Sequence, residues 1–270
     1  MITNQKVKKF WENNPVAAPK LEIKGSYEFF RKFDNRREAA NCEPYNFSNR
    51  IHAYDQSRGK KILDIGCGNG YVLSQYKKFG AEVYGIDLTK TAIELSQKRF
   101  QLCNYQGEFK LTDGDSIPYP DNFFDMVCSM GVLHHIERPE RMINEICRVL
   151  KPSGTLIMML YNKNSFRNKI GFRIKKYFGG PKFRNKTIQQ IRNMNDGIDC
   201  PLVKVYSKND VELLLSDFHS IRFVVNKLSW NEFFIIPIIG KIMNRLLLNC
   251  SESFAAKRWG WNLYIIAKKN

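Results

Sequence analysis

Three glycines in alternation, Gly66, Gly68 and Gly70, follow the apolar run Lys61-Ile62-Leu63-Asp64-Ile65. Glycines at such spacing let a backbone adopt positive φ and come close to a ligand. A helix start just beyond offers free N–H groups. Asp87 closes the next apolar run, Glu82 to Ile86. A carboxylate at that strand end can accept hydrogen bonds from both hydroxyls of a ribose. The chemistry implied is nucleoside binding. A dinucleotide fingerprint would require glycine at position 71, where this chain has Tyr71. That substitution weakens a dehydrogenase reading.

These residues need elements to position them. The middle of the chain alternates apolar runs with helical patterns. Strands are expected at Lys61–Ile65, Glu82–Ile86, Glu108–Thr112, Phe124–Ser129, Thr155–Tyr161, Ser220–Val225 and Asn262–Ala267. Helices are expected at Tyr71–Phe79, Thr89–Phe100, Pro139–Leu150 and Asn209–Leu215, with Thr89 capping the second of them. Strands alternating with helices predict an α/β, Rossmann-like, doubly wound seven-stranded sheet. Four parts follow: an N-terminal helical cap (1–58), a core (59–161), a basic insertion (162–206) and the rest of the core (207–270) with an apolar insertion at 229–256. The segments outside the rhythm are read as a lid over the carboxyl edge of the sheet, where open α/β sheets bind ligands.

A further acidic stretch, Asp113-Gly114-Asp115-Ser116, follows the third strand, and Ser129-Met130-Gly131-Val132-Leu133-His134-His135 follows the fourth. With the glycine loop and Asp87, this order resembles class I S-adenosylmethionine-dependent methyltransferases. It is similar in particular to the small-molecule branch that includes ubiquinone and menaquinone biosynthesis enzymes. The resemblance is specific over residues 60–161 and looser beyond. It implies S-adenosylmethionine as cofactor and an antiparallel last strand. It places Gly66, Gly68 and Gly70 under the methionine part of the donor and Asp64 at its ammonium. Asp87 would hold the ribose, with Leu88 against the adenine. Asp115 would accept from the adenine amino group, Ser116 would add backbone contacts, and Ser129 would face the methionyl group.

Methyl transfer from a sulfonium is an in-line displacement whose leaving group needs no proton. Orientation and exclusion of water can supply much of the rate. A base is needed only where the nucleophile carries a proton. His134 is the candidate base, being just past the fourth strand. Some relatives pair such a histidine with an acid after the fifth strand, but Leu160-Tyr161-Asn162 has none. Tyr161 and Asn162 could orient substrate instead, beside His135. Trp11, Tyr27 and Phe30 in the N-terminal segment could close over the ligands. Asp125, at the start of the fourth strand, reads as structural. No metal is expected, because His134 and His135 lack spaced acidic or cysteine partners.

The chain has 270 residues, of which 43% are hydrophobic and 26% charged, enough for a large core and too apolar for general disorder. Its seven cysteines form no Cys-x-x-Cys pair, so neither a zinc ribbon nor a disulfide framework is suggested. The first residues lack an apolar signal core, and cytoplasmic residence is expected, with contact at a membrane surface as an option. The net charge of +17 favours an anionic partner. Much of it lies between Tyr161 and Asn195, where ten Lys and Arg occur without an acid and alternate with aromatic and aliphatic residues. Such a segment suits an anionic membrane surface, an acidic substrate or RNA. The apolar run Phe233 to Met243 is too short and proline-broken to span a bilayer, and could line a pocket for a greasy substrate. The leading expectation is methyl transfer to a small or amphiphilic, anionic acceptor. Methylation of tRNA or other RNA through the basic lid is one alternative, and S-adenosylmethionine binding without catalysis is another. Oligomeric state is not readable.

Overall fold

The computed structural model describes residues 4–15, 23–39, 42–228 and 253–270. The apolar run Phe233 to Met243 lies outside them. Seven strands form one sheet in the order β3-β2-β1-β4-β5-β7-β6. They are β1 (Lys61–Ile65), β2 (Glu82–Asp87), β3 (Glu108–Leu111), β4 (Phe124–Met130), β5 (Leu150–Tyr161), β6 (Phe218–Asn226) and β7 (Asn262–Lys269). The first five run parallel, and β7 lies antiparallel to both β5 and β6, with Ile157 opposite Ile266 and Phe223 opposite Ile265. The expected α/β sheet, its seven strands and its reversed last strand are all present.

The helices are α1 (Asn4–Asn13), α2 (Tyr27–Arg37), α3 (Tyr45–His52), α4 (Tyr71–Lys78), α5 (Lys90–Leu102) and α6 (Pro139–Val149), then α7 (Phe172–Phe178), α8 (Pro181–Arg184), α9 (Ile188–Asn193), α10 (Lys208–Leu214) and α11 (Phe254–Trp259). Two apolar layers cover the sheet. On one face Met142, Ile143, Ile146 and Val149 of α6 and Val211 of α10 pack against Leu63, Val127, Leu156 and Ile265. On the other, Phe47, Ile51, Leu73, Tyr76, Ile93 and Phe100 from α3, α4 and α5 meet Ile62, Met126, Cys128 and Tyr264. Each strand feeds both layers because successive side chains point to opposite faces. Thr89 caps α5 as expected, accepting from the Ala92 amide. Asp125 is structural as expected: it accepts from the Lys61 amide at 2.8 Å and pairs with Lys151 at 2.7 Å, joining the starts of β1 and β5.

The N-terminal helices are tied to the core by different devices. Helix α2 is fastened by Arg99 of α5, which is 4% exposed. Its guanidinium gives two hydrogen bonds to the Asp34 carboxylate, at 2.9 and 2.8 Å, and one to the Asn69 carbonyl at 2.8 Å. It also lies over the ring of Phe30, 4.5 Å from its centre. Among the described residues, the polar contacts of helix α1 with the core lie at its ends. Glu12 accepts from the amides of Lys90 and Thr91, at 3.0 and 2.9 Å, and from the Thr91 hydroxyl. Burial pushes the Glu12 carboxyl up, yet those hydrogen bonds at the start of α5 outweigh it and hold the acid below its ordinary range. The basic insertion packs through Phe172 and Ile191 onto Trp261, the residue before β7.

Candidate active site

A cleft of about 1370 Å3, open mouth included, lies at the carboxyl ends of β1, β2 and β4 beneath α1 and α2. Its floor is the turn between β1 and α4. Gly66, Gly68 and Gly70 all have positive φ, at +73°, +58° and +74°. A side chain at Gly66 could not fit, because its Cβ would stand 2.3 Å from Cγ2 of Val132. The tight approach of these two loops forms the cradle.

Asp64 is 2% exposed, and its Oδ1 has no hydrogen-bonding partner among the described residues, although it lines the cleft. Burial pushes its carboxyl well above the usual range; Asp87 adds to the rise and Arg37 opposes it. Such a group calls for a cation from the cleft side. Asp87 is fixed by the protein: Oδ1 accepts from the Thr89 amide and hydroxyl, both at 2.9 Å, and Oδ2 from the Gly68 amide at 3.1 Å. Burial raises its carboxyl and these hydrogen bonds partly offset the rise. A carboxylate has about four acceptor positions, so Asp87 keeps capacity for a hydroxyl. Leu88, Thr112 and Gly114 form the wall beside it.

Arg37, at the end of α2, also lines the cleft and was not anticipated from the sequence. It pairs with Glu43 at 2.5 Å and lies over the Tyr71 ring, 4.8 Å from its centre. Its Nε is buried without a hydrogen-bonding partner among the described residues. A cation thus stands near the Asp64 anion, which suits a zwitterionic ligand end. Only its distance along the chain from the glycine loop hid it.

Several expected site residues lie elsewhere. Asp115 is exposed and stands outside the cleft lining, accepting from the Asn4 side chain at 3.0 Å; Ser116 is exposed beside it. Ser129 is fully buried with its hydroxyl unpartnered among the described residues, and by strand alternation shares the face of Val127 on the α6 side. The cleft is reached instead by Met130. Tyr27 is 67% exposed, whereas Phe30 is buried against Phe29 and Arg99, so both are outside the cleft. Phe29 and Phe33 line it in their place, one helix position out of phase. Asn162 serves the backbone, donating to the Gly260 carbonyl at 2.9 Å and accepting from the Asn164 amide.

The histidine pair divides. His134 is fully buried behind the wall, stacked on Tyr161 with ring centres 3.9 Å apart, and does not line the cleft. Burial holds it well below the ordinary histidine range, and His135 adds to that. His135 does line the cleft, against Trp11 at 5.0 Å. Its Nδ1 lies 2.7 Å from the Leu202 carbonyl oxygen, which can only accept. The proton is therefore on Nδ1, and Nε2 carries a lone pair. Oδ2 of Asp196 is 3.9 Å from that Nε2, while Oδ1 accepts from the Tyr161 hydroxyl at 2.7 Å. The acid missing after β5 thus comes from the basic insertion, and Tyr161 positions it. The residue facing the cleft is His135 rather than His134.

Comparisons with known proteins agree with this architecture. Residues 63–158 match the model of a methyltransferase domain. Those residues belong to the class I S-adenosylmethionine-dependent methyltransferases. The ubiquinone biosynthesis O-methyltransferase of Azoarcus sp. (strain BH72) is 32% identical over 108 residues, 39% of this chain and 46% of that protein. Phosphoethanolamine N-methyltransferase 1 of Zea mays is 33% identical over 107 residues, 39% of this chain and 21% of that protein. The match therefore spans less than half the length of these curated relatives. Among solved structures, the [4+2]-cyclase SpnF covers 99% of this chain and 96% of its own, with TM-score 0.59 and 17% identity. An S-adenosylmethionine-dependent methyltransferase from Aquifex aeolicus covers 92% of this chain and all of its own, with TM-score 0.53 and 19% identity. Methyltransferases of this class use S-adenosylmethionine, and the site fits it in three respects. The orphaned Asp64 oxygen suits an ammonium, the glycine cradle admits close backbone approach, and Asp87 keeps acceptor capacity.

Proposed function

We propose that this protein transfers a methyl group from S-adenosylmethionine to a small, amphiphilic acceptor with an ionisable or anionic part. The reading is carried by Asp64, a buried carboxyl group lining the glycine-floored cleft, with one oxygen unpartnered among the described residues. Asp64 would hold the donor's ammonium and Arg37 its carboxylate. Asp87 would take the ribose hydroxyls, and Leu88 and Gly114 the adenine. When bound, the donor supplies an electrophilic methyl on a sulfonium, and departure of the neutral thioether needs no acid. The protein's work is alignment and exclusion of water.

The acceptor end is bounded by Trp11, Met130, Val132, Ile136 and Met142, with His135 among them. That wall is apolar with one basic nitrogen, which suits a greasy molecule carrying one polar atom.

The basic insertion supports a place at an anionic surface. Ile170, Tyr177 and Phe178 are 45%, 69% and 68% exposed, beside exposed Lys169, Arg173 and Lys182. Apolar side chains set among cations fit the boundary of an anionic bilayer. Among the described residues no helix is long and apolar enough to cross a membrane.

Calorimetric titration of S-adenosylmethionine tests the donor site. Micromolar-range binding that Asp87→Ala loses is expected, and its absence even with candidate acceptors present would overturn the reading. Turnover of a thiol, phenol, amine and lipid panel then finds the acceptor. Cosedimentation with anionic vesicles, but not with neutral ones or with tRNA, is expected for the basic insertion.

A further inference from the structure

We propose that His134, His135 and Asp196 form a binding site for a divalent transition-metal ion of the zinc type. One donor atom from each residue lies within 4.8 Å of the other two. The pattern of satisfied and unsatisfied atoms points inward. Both ring nitrogens of His134 and Oδ2 of Asp196 are buried without hydrogen-bonding partners among the described residues. A buried polar atom left unpaired is costly. One ring nitrogen of His134 and Oδ2 of Asp196 come together there, and both call for a common partner.

The far atoms of His135 and Asp196 are committed. Nδ1 of His135 is held by the Leu202 carbonyl, which leaves Nε2 free as a donor. Oδ1 of Asp196 accepts from Tyr161 at 2.7 Å and from the Asn195 side chain at 3.2 Å, which leaves Oδ2 free. Tyr161 also stacks on His134 and fixes its ring. Metal-binding histidines and carboxylates are oriented in this way by partners on their far atoms.

The spacing is near that of a filled site. Nε2 of His135 and Oδ2 of Asp196 are 3.9 Å apart. Donors on a tetrahedral zinc with bonds of about 2.1 Å stand roughly 3.4 Å apart, so small side-chain rotations close the gap. Two histidines and a carboxylate suit zinc and its first-row neighbours, and do not suit magnesium or calcium. Three protein ligands leave a position open. Because His135 lines the cleft, that position can meet an oxygen or nitrogen of the acceptor and lower its pKa. That last role rests on the methyl-transfer reading, whereas metal binding does not.

The test is titration of the reduced full-length protein with Zn2+ in a chelator-buffered series, without donor or acceptor, and with Co2+ as a spectroscopic probe. One equivalent of zinc is expected to bind tightly and raise Tm. Asp196→Asn and His135→Gln, both close in shape, should each weaken it at least about tenfold, with circular dichroism confirming their folding. The cobalt form should show ligand-field bands without thiolate charge transfer. No zinc binding, binding untouched by both variants, or thiolate bands revealing a cysteine site would each overturn the proposal.

Discussion

The side-chain amide of Asn4 reaches across the cleft mouth and donates to the carboxylate of Asp115 at 3.0 Å. The first residue of α1 thus engages the very acid that the family resemblance assigns to adenine. Asp115 serves the cap in this conformation. Asp115→Ala should therefore weaken donor binding less than about fivefold, whereas Asp87→Ala should weaken it more than about tenfold, because a half-buried, pre-fixed acceptor loses more when removed than an exposed one. Parallel calorimetric titrations decide it. Equal losses would return Asp115 to direct donor contact.

His135 and His134 separate in kinetics. His135→Gln should lower kcat about 10²-fold, because it removes the polar group that the cleft presents beside the acceptor, and leave donor affinity unchanged. Asp196→Asn should follow it in direction. A variant in which KM for the donor rises while kcat holds would place His135 with the donor instead.

Gly66→Ala should cost on the order of 2 kcal/mol, since it combines a φ of +73° with a Cβ placed 2.3 Å from Val132. Adding Val132→Ala relieves the collision but leaves the torsion. The double variant should recover part of the lost Tm in thermal unfolding. Full recovery would show that backbone conformation at 66 is immaterial.

Asp64→Asn should trade function for stability. Burial raises the folded carboxyl above its unfolded value, so the folded state binds the proton more tightly. The associated stability is present below about pH 4, the unfolded aspartate's range, and is lost as pH rises through the folded value. At pH 7 the donor-free asparagine variant should be more stable by on the order of 1 kcal/mol, and the gain should vanish near pH 4. Donor affinity should fall at least about tenfold. A less stable variant at neutral pH would mean that Asp64 is paired in the donor-free protein.

The donor half of the cleft was legible because it is local. Gly66, Gly68 and Gly70 follow one strand, and Asp87 ends its neighbour, so spacing alone brings them together. The acceptor half depends on contacts between distant segments. Asp196 reaches His135 from just past a stretch whose charge pattern spoke only of cations, and Arg37 arrives from a helix read for its aromatics. Ser129 was misplaced for another reason. Strand alternation puts Met126, Cys128 and Met130 on one face, and hence Ser129 with Val127 on the other. That signal was in the sequence. Phase also separates Phe30, which faces Arg99, from cleft-lining Phe29 and Phe33, although all three are buried and the apolar pattern of α2 could not rank them.

Arg99 has a consequence for how the cap comes undone. By holding Asp34, the Asn69 carbonyl and the Phe30 ring at once, it makes α2, α5 and the glycine turn parts of one cooperative unit, so α2 opens only when the sheet's flank does. Among the described residues helix α1 has no such buried cation beneath it, and its polar ties to the core lie at Asn4 and Glu12. Amide exchange should accordingly split the cap in two, with α2 protected like the interior and α1 released at a small fraction of that free energy. Traffic into the cleft then passes under the N-terminal helix, while the second wall stays standing.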